Sequence, residues 1–180
     1  MKIQYKDKVM EFDQPMTINE LLKEEIENTE YTVVAAVFNN EYKNLESIIE
    51  EDGKIELIDI SSKEGMKVYR RTLVYIVGKA FENICPNKKM EVNYQLSNAM
   101  FCDLIDEEVT DEFLEELAQE VRRIVKEDLP IRQVIMNREE ATKFFNETQS
   151  SKGRLQLDLE GNNEIFMYYC EDYYNYCYGT

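Results

Sequence analysis

The last thirteen residues, YYCEDYYNYCYGT (168–180), crowd six tyrosines and two cysteines around an acidic pair. Phenols, thiols and carboxylates are the raw material of acid–base and nucleophilic chemistry. The rest of the chain limits what they can do. It contains no histidine, which removes Ser-His-Asp and Cys-His catalysis and every His-ligated metal. Cys85, Cys102, Cys170 and Cys177 lie 17, 68 and 7 positions apart, without the paired spacing of a zinc knuckle. They read as reduced, mostly buried thiols rather than metal ligands. If 168–177 is one regular strand, alternation puts Tyr169, Glu171 and Tyr173 on one face and Tyr168, Cys170 and Asp172 on the other. Tyrosines so spaced are either half-buried packing with a wet hydroxyl or the wall of a pocket for a planar ligand.

Composition narrows the setting. With 43% hydrophobic and 32% charged residues the chain reads as an ordinary soluble protein. No apolar run approaches the roughly eighteen residues a membrane helix needs, and MKIQYKDKVMEF lacks the apolar core of a signal peptide. The expectation is a cytoplasmic protein without membrane contact. The formal net charge is −16, from 21 basic and 37 acidic side chains. A field of that sign repels phosphate backbones and makes nucleic acid an unfavourable partner. Lys67, Arg70, Arg71 and Lys79 cluster in sequence, and their spacing reads as a solvated helix face.

The elements that would hold such a site fall into two units. In residues 1–61, Ile3, Tyr5 and Val9 alternate about a Lys6-Asp7-Lys8 turn and predict a hairpin. PMTINELLKEEI carries the Thr17/Glu20 spacing of a capping box, a Met16/Leu21 staple and an Ile18-Leu21-Leu22-Ile26 stripe, so one helix is expected. TVVAAVFNN reads as a buried strand ending in a turn, and GKIELIDI as a closing strand. In residues 62–180, GMKVYRRTLVYIVGKAFENICP has apolar residues at Tyr69, Leu73, Ile76, Val77, Ala80 and Ile84, which predicts a helix stopped by Pro86. MEVNYQL and AMFCDLI form a hairpin about Ser97-Asn98. From Thr110 a helix with the stripe Phe113, Leu117, Val121, Ile124 and Val125 runs to about Asp128. IRQVIM is a strand, Asn137 and Glu140 cap a short helix, and LQLDLEG and the tyrosine-rich tail are strands. The fold class is α+β.

The β-β-α-β-β order of the first unit, with QPMTINELLK, AAVFNNEYKNL and EEDGKIELID, resembles a TGS domain. That is a ubiquitin-like β-grasp found in threonyl-tRNA synthetases, Rel/SpoT proteins and some GTPases. Its 6 basic and 15 acidic groups up to Ser62 make it a poor RNA clamp. The second unit resembles the editing-type domain of threonyl- and alanyl-tRNA synthetases, through YRRTLVYIVGKAFENICPNKKMEVNYQLSN and EDYYNYCYG. The resemblance implies an α+β domain with an antiparallel sheet, long helices, a His-x-x-x-His pair on its helix and a Cys-x-x-x-His pair in its tail. The positions it implies here are Arg71 and Tyr75 on the helix and Cys177 in the tail, so the family's hydrolytic set is not retained. Asn93 and Ala99 replace glycines usual around the hairpin.

A TGS unit plus an editing-like unit without histidines also resembles the front half of bacterial uridine-kinase-like nucleoside kinases. That resemblance implies a non-catalytic regulatory or ligand-binding region, truncated before a kinase domain that would bring ATP and Mg²⁺. The chain itself has no P-loop, Gly78-Lys79-Ala80 being only a fragment of one, and no cofactor of its own is expected. The relic or ligand cleft would comprise Arg71, Tyr75, Gly78, Asn98, Tyr173 and Cys177, open to a nucleotide or amino acid. Two other readings stand beside it. One is an aminoacyl-tRNA deacylase with a divergent site using Cys177, Tyr75 and Asp172, with Arg71 as the nearby cation. The other is a module that pairs subunits, as a homo-oligomer, through its tyrosine-rich sheet.

Overall fold

The computed structural model describes residues 1–86, 88–97, 99–105, 108–147, 157 and 163–176. It is a mixed α+β protein with four sheets, antiparallel or mixed, among the described residues. Cα packing divides it into two units, Met1–Leu73 and Val74–Gly179.

The first unit begins with β1 (Lys2–Tyr5) and β2 (Lys8–Glu11), an antiparallel hairpin pairing Tyr5 with Lys8. Lys6 turns the chain in the left-handed region, at φ 53°. After β3 (Met16–Thr17), the helical segment comes in two pieces, α1 (Ile18–Leu21) and α2 (Lys23–Glu27). The capping box forms as its spacing predicts. Glu20 N donates to Thr17 Oγ1 at 3.2 Å and Thr17 N donates to Glu20 Oε2 at 2.9 Å. The single helix expected does not form: Leu22 leaves helical geometry at φ −118°, ψ 26°. The break coincides with burial of both Leu21 and Leu22, side chains that a regular helix would splay about 100° apart.

β4 (Val33–Phe38), β5 (Glu41–Lys43), β6 (Ile48–Ile49) and β7 (Gly53–Asp59) complete the unit's strands. The main sheet has the order β2-β1-β7-β4-β5. Its β1–β7 pair is parallel, and the other pairs are antiparallel. β3 and β6 form a separate two-stranded pair. Asn39 and Asn40, at φ 48° and 69°, make the turn into β5, a conformation asparagine tolerates better than most residues. Ile3, Tyr5, Ile18, Leu21, Leu22, Ala36, Phe38, Ile49 and Ile55 form the core between sheet and helix.

α3 (Lys63–Ile84) opens in this unit and crosses the division between Leu73 and Val74. Gly65 permits its start, because a Cβ there would lie 1.9 Å from the Asp59 carbonyl oxygen. Tyr69 and Leu73, read from their spacing as part of the apolar stripe, are exposed.

In the second unit the remainder of α3 is followed by the β8 (Met90–Leu96) and β9 (Ala99–Leu104) hairpin, then by α4 (Asp111–Lys126). The hairpin register slips between Val92 and Tyr94, leaving Asn93 as the extra residue of a bulge. Tyr94 and Phe101 stack at 4.7 Å on its exposed surface. Thr110 caps α4, accepting from Phe113 N at 3.2 Å, and Phe113 meets Phe81 of α3 edge-on at 6.2 Å. Ile124 is buried, but Val125 is 58% exposed. The stripe is therefore one residue narrower than its apolar pattern implied.

β10 (Arg132–Asn137), α5 (Arg138–Glu147), β11 (Glu164–Cys170) and β12 (Tyr173–Tyr176) complete the unit. The strands form an antiparallel sheet in the order β10-β11-β12. Asn137 and Glu140 cap α5 reciprocally, each backbone N–H donating 2.9 Å to the other's side chain. Ala141 and Phe145 of α5 pack with Leu157, Ile165 and Met167 in a second core. The strand expected at LQLDLEG lies outside the described residues, Leu157 excepted. Among the described residues no helix is long and apolar enough to cross a membrane.

Candidate functional site

The tail is not one regular strand. β11 ends at Cys170 and β12 starts at Tyr173, and these two residues are direct partners across a turn of only Glu171 and Asp172. Glu171 has φ 54°, a conformation that carries a cost for a residue with a Cβ. This turn corrects the face assignment made from simple alternation. Directly opposed residues share a sheet face, so Cys170 lies with Tyr173, Tyr168 with Asn175, and Tyr169 with Tyr174. Tyr169 and Tyr174 stack at 5.4 Å, and Tyr174 meets Phe144 of α5 at 5.1 Å. The opposite face carries Cys170, Tyr173 and Asn175 beside α3, then Tyr168, hydrogen-bonded at 3.0 Å by Gln133 Nε2. Tyr169 and Tyr174 thus belong to packing, and the other face of the described hairpin is left for a site.

On that face α3 supplies Tyr75, Gly78, Lys79 and Glu82. The buried Tyr75 donates its hydroxyl to the Tyr173 carbonyl oxygen at 2.9 Å, and the two rings meet edge-on at 5.2 Å. Gly78 makes the approach possible: a Cβ there would stand 2.5 Å from Tyr173 Oη. That same hydroxyl accepts from Asn175 Nδ2 at 2.9 Å.

Lys79 follows. It is only 1% exposed, with Nζ 2.9 Å from Glu171 Oε2 and 3.5 Å from Asp172 Oδ1. Neither contact has hydrogen-bond geometry, so Nζ is buried and ion-paired but without a hydrogen-bond acceptor among the described residues. The solvated-face reading of Lys67, Arg70, Arg71 and Lys79 fails at Lys79, which turns inward while Lys67 and Arg71 stay exposed. Its sequence signal was its place one turn after Tyr75, next to Ala80 within the apolar stripe.

Charge around Lys79 is mostly negative. Burial, and then the charge of Asp172, push the Glu82 carboxyl above the ordinary range. Burial likewise pushes the Cys170 thiol up. The Lys79 charge opposes that shift, and Glu171 and Asp172 add to it. Cys170 is therefore a packed thiol and not a nucleophile. At the flank, Asn83 Nδ2 donates to Glu120 Oε1 at 2.7 Å, and Arg123 holds the same carboxylate. Hydrogen bonds from Arg123 and then Asn83 bring the Glu120 pKa down to about 2.

Of the residues singled out from the sequence, the fold brings Tyr75, Gly78 and Tyr173 together. Arg71 lies one turn before Tyr75, on the other side of the division into units, and is exposed. The i, i+4 pair turned toward the tail is Tyr75 and Lys79. Asn98 and Cys177 lie outside the described residues. Among the described residues no group of three or more His, Cys, Asp or Glu side chains is arranged to hold a metal ion.

The chain is similar in sequence to threonine–tRNA ligases over nearly its whole length. It is 30% identical to a threonine–tRNA ligase of Clostridioides difficile (strain 630) over 182 aligned positions, covering 99% of this chain and 28% of that protein. It is 28% identical to a threonine–tRNA ligase of Caldanaerobacter subterraneus, over 94% of this chain and 27% of the relative. For one of Clostridium novyi (strain NT) the figures are 29%, 99% and 29%. The chain thus spans a little over a quarter of the length of the curated relatives it matches. No family model matches it. These relatives, matched across both units, point to a tRNA-synthetase-related region. They overturn the nucleoside-kinase reading. That reading rested on the missing histidines and on the RRTLVYIVGKA, DLPIRQVIMNREEA and YYNYCYG stretches, none of which identifies a particular parent by itself.

Proposed function

We propose that the chain is an editing-type region acting on aminoacyl-tRNA, with a divergent site between α3 and the β11–β12 turn. Its first unit is a TGS-like β-grasp. The strand order β2-β1-β7-β4-β5, with a parallel central pair and helices between β2 and β4, supports that assignment. The observation that carries the functional reading is the match to threonine–tRNA ligases over 99% of the chain. The proposed boundary remains near residue 61, ahead of α3, and the working compartment is the cytoplasm.

The site offers groups suited to ester hydrolysis without histidine. Glu82, exposed on the same α3 face and with its carboxyl held above the ordinary range by partial burial and by Asp172, is the candidate general base. Tyr75 fixes the backbone of Tyr173 and so holds the hairpin against α3. The charge of −16 makes the phosphate backbone a poor anchor, so recognition centres on the acylated 3′ end. The test is release of labelled amino acid from misacylated and from correctly acylated threonine tRNA. The expected result is faster release from the misacylated form than its spontaneous rate, with the correct form spared. Release at the spontaneous rate from both removes the proposal.

A further inference from the structure

The ion pair at the centre of this site is assembled from components that an aminoacyl ester could replace one for one. Lys79 Nζ is a buried cation that lacks a hydrogen-bond acceptor among the described residues. Its counter-charges are Glu171 and Asp172, whose side chains are 51% and 93% exposed. One partner is thus fixed in the interior, and the other two sit on a two-residue surface turn. The turn itself is strained at Glu171, φ 54°. A buried ammonium without aligned acceptors is expensive, because its desolvation is only partly offset by Coulomb attraction. A ligand that brings a well-aligned oxygen to Nζ recovers part of that cost.

We infer that the Lys79–Glu171–Asp172 cluster reads the two polar ends of an α-amino acyl group by charge exchange. The acyl carbonyl oxygen accepts from Lys79, and the α-ammonium takes the place of Lys79 beside Glu171 and Asp172. Each buried or half-buried charge keeps a partner throughout. A free carboxylate or phosphate meets only the lysine and is repelled by the acidic turn, and a simple amine meets only the turn. The ligand class is therefore an α-amino acyl group with a free ammonium, whether ester, amide or free amino acid, and N-acylated compounds are excluded. This rests on the aminoacyl-tRNA reading above and adds the residues that recognise the acyl group. Lys79, Glu171 and Asp172 are specificity residues here, and no bond is made or broken by them.

The probe is 3′-(glycyl)amino-3′-deoxyadenosine, an amide that is not hydrolysed and has no side chain to be selected, beside its N-acetylglycyl counterpart. Binding is read as ligand-dependent rise of the melting temperature of the whole chain. The glycyl compound should bind at least about tenfold more tightly than the acetylated one, the scale of one charge-assisted hydrogen bond. The preference should disappear in Glu171→Gln/Asp172→Asn, whose own melting curve reads the cost of leaving the buried Lys79 without its counter-charges, and binding should weaken in Lys79→Met, which removes the buried charge altogether. Equal binding of the two compounds, or an unchanged preference in the turn variant, overturns the charge exchange and leaves the aminoacyl-tRNA reading standing. Binding of neither compound overturns both.

Discussion

The hydroxyl of Tyr75 donates to the backbone carbonyl of Tyr173, 98 positions away, at 2.9 Å, and the two rings close over the bond edge-to-face. A helix and a tail hairpin are thus tied at one backbone atom. The tie holds the start of β12, and with it the Glu171–Asp172 turn beside Lys79. Tyr75→Phe keeps the ring and removes the bond, leaving a part-buried carbonyl without that donor. The expected loss is about 1–2 kcal/mol of stability, read as a lower urea midpoint with unchanged slope. No loss would mean that the ring contact alone holds the hairpin.

Gly78→Ala tests the closeness of the same pair. Alanine is the better helix former by about 1 kcal/mol, yet its methyl would fall 2.5 Å from Tyr173 Oη. In the wild-type background the substitution should destabilise, since Tyr173 is held by both Tyr75 and Asn175. In Tyr173→Phe the offending atom is gone, and the next is 3.4 Å away. There the same change should be neutral or stabilising. A double-mutant cycle on melting temperature measures the coupling, and additivity within about 0.5 kcal/mol would contradict the contact.

Glu120 gives the acid-side behaviour. Its folded pKa of about 2 lies below the ordinary 4.5. Its contribution is fully present above the ordinary value and is lost as pH falls from there toward 2. The melting temperature of Glu120→Gln should lie below wild type at pH 7, and the gap should close on acidification through that window. A gap that stays constant with pH would assign the difference to packing rather than to the Arg123 and Asn83 bonds.

Much of the fold was legible because local signals agreed with tertiary demands. Thr17–Glu20, Thr110 and Asn137–Glu140 each cap a helix as their spacing predicts, and Ala35, Ala36 and Phe38 of the AAVF run are buried. The failures share a cause. Helical periodicity marks a face but not its width, so Val125 and Leu73 read as core and are exposed. Alternation assumes an unbroken strand, so the Glu171–Asp172 turn reversed the expected faces. Glutamate and aspartate here lack the glycine or asparagine that usually announces such a turn. Lys79 was hidden for the opposite reason. A charged residue on a helix defaults to solvent, and only its carboxylate partners, 92 and 93 positions on, show why this one turns inward. The parent reading was drawn from missing histidines and three short stretches, and matches over nearly the whole chain overturn it.

The central claim is that the Lys79–Glu171–Asp172 site, and not the tRNA backbone or another surface, handles the acyl group. The most direct measurement is single-turnover hydrolysis of misacylated threonine tRNA by wild type, Lys79→Met and Glu171→Gln/Asp172→Asn in parallel. The account predicts release at least about tenfold above the spontaneous rate for wild type, and a fall of about tenfold or more in both variants while their melting curves still show a folded protein. Wild-type release at the spontaneous rate, or variants as fast as wild type, would contradict it.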